Sequence, residues 1–412
     1  MSPVLPFDVI VQIIDTIAEN EDTNLLKELA LVSHCFHQIC SKHLFATIEL
    51  HDAHPKYHVP SSKKGFVKLL KSRPEVVNYI RKLIYIMYGD RLLSFRFLSS
   101  DLKSEDDLLS PILPNFLRTI SHLNCLTIDA SNMAWNEINP SVASALFHLM
   151  HLPTINHIDL SSIRNFPMSS LIPSVNLLRL DLYKLDPLEE KIVVQSEMIP
   201  KIREFHISRC PLMTTEVLDT KTQDGRLAFS FMDLRRLSTS LDDMQKVRYL
   251  LQNAKLLEKL HLTVEYGQSL VGLHNILSSD ARTLKVLYLT GFIIFCDDYR
   301  FHPPLAGVCE ELEALAGHNN LEALSIEIEV RADYDETEDS IGSMIQNVEK
   351  VLVKPGWSAL RQVSFKVPIQ CFLLRDGIGL CETLQSLPDK YLNHLPKLES
   401  IVFNFSSYAM ED

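Results

Sequence analysis

Glycine is scarce in this chain, with 12 among 412 residues. Phosphate-cradling loops and tight β-hairpin turns both draw on it, because glycine reaches positive φ without a steric cost. The shortage counts against nucleotide-binding folds and all-β sandwiches. Positive charge is short too: 40 lysines and arginines face 52 aspartates and glutamates, a formal net charge of −12. A protein held on nucleic-acid phosphates needs a basic surface. Residues 61–73 (SSKKGFVKLLKSR) are the one basic stretch, and they read as a solvated helix face. The eight cysteines never form C-x-x-C and are too few for a disulfide scaffold. A reducing compartment, cytoplasmic or nuclear, is therefore expected. No apolar run has the length of a bilayer span, and MSPVLPFDVIV has no basic residue ahead of its apolar run, unlike a signal peptide. Neither nucleic acid nor membrane is expected as a partner.

Catalytic and metal signatures are missing as well. The chain has no Walker A sequence, no G-x-S-x-G, no H-E-x-x-H and no dinucleotide fingerprint. His37, Cys40 and His43 are spaced three apart on one predicted helix. Three residues turn a helix by about 300°, so these side chains do not converge, and structural zinc takes four convergent ligands. His51, His54 and His58 lie in a proline-containing segment and offer no better set. Asp333 and Asp335 could open a calcium loop, but its sixth position would be Glu338 in place of Gly and its twelfth Met344 in place of Glu. No cofactor, no metal and no catalytic residue is expected.

What the chain has in abundance is a spaced triplet, apolar-x-x-apolar-x-apolar. It recurs as Ile80/Leu83/Tyr85, Leu123/Leu126/Ile128, Ile155/Ile158/Leu160, Leu177/Leu180/Leu182 and Ile202/Phe205/Ile207. It continues as Leu234/Leu237/Thr239, Leu257/Leu260/Leu262, Leu284/Leu287/Leu289, Leu321/Leu324/Ile326, Leu360/Val363/Phe365 and Leu398/Ile401/Phe403. Each triplet reads as a short alternating strand. Helical stretches separate them, among them Pro140–Met150, Asp242–Gln252, Gly307–Ala316, Ser340–Leu352 and Leu380–Asn393. One strand and one helix cannot bury their apolar sides alone, but stacked copies bury them together. The pattern resembles a leucine-rich repeat, with triplet starts 22 to 43 residues apart and only Ile202-x-x-Phe205-x-Ile207-x-x-Cys210 extending to the longer motif. The resemblance implies an irregular solenoid over residues 79–412, with a parallel sheet on its concave face.

Because side chains alternate along a strand, the residues between and just after the apolar positions face the other way. Those positions are Cys125, Thr127 and Asp129; His157, Asp159 and Ser161; Arg179, Asp181 and Tyr183; Glu204, His206 and Ser208; Lys259, His261 and Thr263; and Tyr288. They form a polar row. His157, Asp159, Arg179, Asp181, Tyr183, Glu204, His206, Lys259, His261 and Tyr288 are its candidate target-binding residues, since repeat arrays bind on that wall and Arg and Tyr dominate interfaces.

The first 50 residues read as three short amphipathic helices. Leu5-Pro6 opens the first, whose apolar face is Val9, Ile10, Ile13, Ile14 and Ile17. Thr23 or Asn24 can cap a second helix carrying Leu25, Leu26, Leu29 and Val32, and Ser33 a third carrying Phe36, Ile39, Cys40 and Leu44. From residue 5 to about 48 the order resembles the F-box motif, carried by Leu5, Pro6, Ile13, Ile14, Leu29, Val32, Ser33 and Phe36. It departs from that motif in having Phe36 where many members have Trp, and a longer, acidic link at Glu19–Asn24. The resemblance implies a surface of Leu5, Pro6, Val9, Ile10, Ile13, Ile14, Leu29, Val32 and Phe36 that binds a Skp-family adaptor and, through it, a cullin-based ubiquitin ligase. Residues 51–78 read as a junction with one helix around Gly65–Ser72. The whole order resembles fungal F-box proteins with divergent leucine-rich repeats, which implies a non-catalytic substrate receptor of an SCF ubiquitin ligase, its protein target unnamed. Two other readings are an F-box protein acting outside degradation, and an enzyme or ligand-binding module on a repeat-like α/β fold.

Overall fold

The computed structural model describes residues 6–20, 22–52, 61–88, 112–188, 199–210, 212–213, 218, 229–241, 244–265, 268–280, 283–293, 305–317, 319–330, 337–370, 381–398 and 400–410. Leu5, His54, His58, Cys296, Cys371 and the acidic residues 331–336 lie outside them. The chain forms two compact units, residues 1–200 with 217–229 and residues 201–216 with 230–412. This division falls elsewhere than after residues 50 and 78, where the sequence changes character.

The first unit opens with three helices, α1 (Phe7–Glu19), α2 (Thr23–Ala30) and α3 (His34–Leu44). Ser33 caps α3 as its position predicts, its hydroxyl accepting from Phe36 N at 3.3 Å. The cap of α2 is Asp22 in place of Thr23 or Asn24, accepting from Leu25 N at 3.0 Å. A carboxylate there also meets the positive end of the helix dipole. Ile14, Leu26, Ala30, Ile39 and Cys40 form the bundle core, with Ile10, Ile17, Leu29, Phe36 and Leu44 packed around it.

Five parallel strands follow in sequence order: β1 (Thr47–His51), β2 (Lys82–Ile86), β3 (Cys125–Ala134), β4 (His157–Arg164) and β5 (Arg179–Tyr183). β1 is a strand that the triplet reading passes over. Phe45-x-x-Ile48-x-Leu50 fits the triplet, but those residues are also the tail of the F-box resemblance. Helix α4 (Lys63–Ser72) occupies the junction as expected, buried through Phe66, Val67 and Leu70. The triplets align across the sheet, Leu83 beside Leu126, Leu126 beside Ile158, and Ile158 beside Leu180. All are buried.

The second unit repeats the plan with seven parallel strands in order: β6 (Glu204–Ser208), β7 (Arg236–Ser240), β8 (Lys259–Val264), β9 (Val286–Ile293), β10 (Ala323–Val330), β11 (Gln362–Ile369) and β12 (Val402–Ala409). Within this unit Phe205, Leu237, Leu260, Leu287, Leu324 and Val363 form an aligned row, and in β12 Phe403 is only half-buried. Helices Met244–Asn253, Leu273–Asp280, Val308–Leu315 and Thr337–Leu352 lie between strands. The single helix expected over Leu380–Asn393 is interrupted at Ser386, with helical residues 381–385 followed by Leu387–Tyr391. Pro388 supplies no N–H for a continuous helix and favours a fresh first turn.

Ahead of most strands, one carbonyl accepts two successive N–H groups of the next repeat. Ala46 O takes Arg81 N and Lys82 N at 2.8 and 2.9 Å, and Asn156 O takes Leu178 N and Arg179 N, both at 2.9 Å. In the second unit Arg235 O holds Glu258 N and Lys259 N, and Lys285 O holds Glu322 N and Ala323 N. These paired donations set the register in which the triplets stack.

Candidate functional site

The alternation along each strand leaves one sheet face lined by the polar row. In the first unit, register sets Cys125 beside His157, His157 beside Arg179, Asp159 beside Asp181, and Ser161 beside Tyr183. Asp181 Oδ2 accepts from His157 Nε2 at 2.9 Å and from the Arg179 guanidinium at 2.9 and 3.0 Å. Cys125 Sγ stands 3.2 Å from His157 Nδ1. Burial opposes a charge on His157, but hydrogen bonds to Asp181 and Cys125 and their negative charge outweigh it and raise its pKa to about 9. Asp159 is pushed up from the usual carboxylate range by burial and by the Asp181 charge, against the pull of His157, Arg179 and Lys82. Thus five candidates, His157, Asp159, Arg179, Asp181 and Tyr183, share one patch. Asp129 of the same row turns inward on its own chain, accepting from Ser131 N at 2.9 Å where the pairing of β3 with β4 slips.

In the second unit His206, Lys259, His261 and Tyr288 line a cavity of ≈ 260 Å³. His261 is held by Ser238 Oγ, 3.2 Å from Nδ1, and Thr290 Oγ1, 2.9 Å from Nε2, with its ring edge-on to Tyr288. Burial, followed by the charge of His206, lowers its pKa, so the ring is neutral at pH 7. Glu204 is occupied by Arg236 at 3.1 Å. Arg236, Ser238, Glu327 and Lys366 also face the cavity and were not among the sequence candidates. Arg236 and Ser238 flank Leu237, and Glu327 and Lys366 follow Ile326 and Phe365, so the alternation that marks the row reaches them too. The cavity offers hydrogen-bond donors on three cationic side chains, neutral imidazole and hydroxyls, beside one carboxylate. It suits a polar side chain of a ligand.

A second kind of surface lies on α1–α3. Of sixteen large apolar side chains exposed among the described residues, six fall within the first 32. Leu31 is 88% exposed, Val32 67%, Phe7 54% and Ile13 48%, with Val9 and Leu25 near 37%. Of the expected adaptor-facing residues, Pro6, Val9, Ile13 and Val32 are exposed, and Ile10, Leu29 and Phe36 are half-buried. Ile14 is the exception. It is fully buried in the bundle core, so it holds the helices together and offers a partner no surface. Phe7, Leu25 and Leu31 are apolar and exposed where the motif residues did not point.

The candidate metal residues are drawn apart. His37 bonds Arg73 at 2.9 Å, His43 bonds Asp15 at 2.9 Å, and Cys40 is buried. Among the described residues no three His, Cys, Asp or Glu side chains are placed to hold a metal ion, and no helix is long and apolar enough to cross a membrane. No protein-family model and no curated protein sequence matches this chain.

Proposed function

We propose that this chain is a non-catalytic substrate receptor of a cullin-type SCF ubiquitin ligase, working in the cytoplasm or nucleus. Its N-terminal helices bind a Skp-family adaptor, and the polar sheet face binds a protein target. The observation that carries this reading is the set of exposed apolar side chains on α1, α2 and the two residues after α2, on the stretch that resembles an F-box. Six exposed apolar side chains within 32 residues favour a partner site, because leaving apolar surface in water forgoes about 25 cal/mol per Å². The adaptor would cover Val9, Ile13 and Val32, with Phe7, Leu25 and Leu31 added by exposure.

The test is capture of the full chain by a purified Skp-family adaptor. Ile13→Asp and Val32→Asp place a charge in the interface without touching the bundle core, and should each weaken capture at least tenfold while circular dichroism stays unchanged. Adaptor capture of both well-folded variants at the wild-type level would count against the proposal.

The cavity around His261 favours a second reading, a ligand-binding module on a repeat-like α/β fold. The readings part at one measurement. A receptor loses its protein target in Lys259→Glu/His261→Ala and keeps its adaptor, whereas a ligand-binding module has no adaptor to keep.

A further inference from the structure

A thiol, an imidazole and a carboxylate stand in line on the polar face of the first unit's sheet, contributed by β3, β4 and β5. Cys125 Sγ is 3.2 Å from His157 Nδ1, and the opposite ring nitrogen, Nε2, is 2.9 Å from Asp181 Oδ2. Asp181 is itself fixed by Arg179 Nε at 3.0 and 3.2 Å. With Nε2–H committed to the carboxylate, Nδ1 is the nitrogen turned to sulfur. A base oriented from behind by an anion accepts the proton of the nucleophile in front of it. The other charged groups facing the trio are Lys82, beside Cys125 on β2, and Asp159 on β4.

The remaining described cysteines differ. Cys40 and Cys210 are buried. Burial raises the pKa of Cys40, and burial with the charges of Glu310 and Glu313 raises that of Cys309. Cys125 is half-buried with one side toward solvent, and it lies beside an imidazole that favours its proton.

We infer that Cys125 is a reactive thiol, with His157 Nδ1 placed to take its proton and Asp181 orienting that ring, that forms a reversible mixed disulfide with a small disulfide of the glutathione class. In that step the Cys125 thiolate attacks one sulfur of the reagent. A new S–S bond forms as the reagent's own S–S bond breaks, and the departing thiolate takes the proton from His157 Nδ1. Cys125 is oxidised to the disulfide level and half of the reagent is reduced to a thiol. A second thiol reverses the exchange. Lys82, beside Cys125, gives the carboxylates of such a reagent a favourable approach. The inference does not depend on the ubiquitin-ligase reading.

The experiment is site-resolved alkylation of the folded full chain with iodoacetamide, followed by peptide mass spectrometry. At pH 6.5 an ordinary thiol is about 1% ionised. With His157 beside it to take its proton, Cys125 should react at least tenfold faster than the exposed Cys35. His157→Gln and Asp181→Asn should remove the advantage. Glutathione disulfide should leave one glutathionyl group on Cys125 that dithiothreitol releases. A wild-type Cys125 no faster than Cys35 at pH 6.5 overturns the inference, and so does a well-folded His157→Gln protein that keeps the advantage. Absence of the glutathionyl adduct overturns the choice of reagent class.

Discussion

Two histidines of the polar row, His157 and His261, are pushed in opposite directions by what touches them. His157 has a carboxylate and a thiol, and is pushed up to about 9. His261 has two hydroxyls and a histidine neighbour, and is pushed down. For His157 the folded pKa lies above the ordinary 6.5, so its contribution to stability is complete below pH 6.5 and is lost as pH rises through 9. The loss is on the order of 2 kcal/mol. Urea unfolding at pH 6.5 and 9 should show it, and His157→Gln should flatten that span. For His261 the sign reverses: the folded state resists protonation, so stability falls as pH drops below 6.5, and His261→Gln should soften the acid side. The alternation of polar and apolar residues made both positions legible in the sequence. Their environments were not, because Cys125, Asp181, Ser238 and Thr290 lie 23 to 32 residues away in the chain. The burial of Ile14 is hidden for a similar reason. Ile13 and Ile14 are equally apolar neighbours, and only the placement of α2 and α3 decides which one is covered.

Among the helices, Thr337–Leu352 shows how an element is tied to the next repeat. Glu349 near its end is buried, and its carboxylate accepts from Asn393 N, His394 N and Leu395 N at 2.8–3.2 Å. The carboxylate is buried and holds three backbone amides at once, so Glu349→Ala should cost about 2–4 kcal/mol in thermal or urea unfolding, with Glu349→Gln recovering part of it. The same helix carries Gly342 against the ring of Tyr391, whose hydroxyl donates to Asp339 at 2.7 Å. A Cβ at position 342 would stand 2.4 Å from that ring. Gly342→Ala should therefore lower stability by about 1–3 kcal/mol, despite alanine's better helix propensity. Helical period placed this helix to within a few residues of its start. Period could not place the partner of Glu349, and the helix after residue 380 was drawn through Pro388 because apolar spacing outweighed the proline.

On the scale of the whole chain, the order of the strands was legible because one triplet recurs and each copy pairs with the next. The division into two compact units was not, since no change of composition marks residue 200 and residues 217–229 return to the first unit. Pairing by sequence neighbours also predicts how the second unit fails. A cut after Leu262 separates the pairing of β8 with β9 and uncovers the row of Leu260 and Leu287. The two fragments, expressed separately, should aggregate on size exclusion; two monodisperse, cooperatively melting halves would contradict stabilisation through neighbouring repeats. The carbonyls ahead of each strand have one more consequence, for how such a chain can change length. Most of them grip two successive N–H groups of the next repeat, so an inserted residue at that point would slip the register and turn every following side chain of that strand to the opposite face. Among the described residues no carbonyl beyond a strand holds two such N–H groups, and triplet starts stand 22 to 43 residues apart. Room for new sequence is therefore one-sided, and a tag or grafted loop belongs after a strand, never before it.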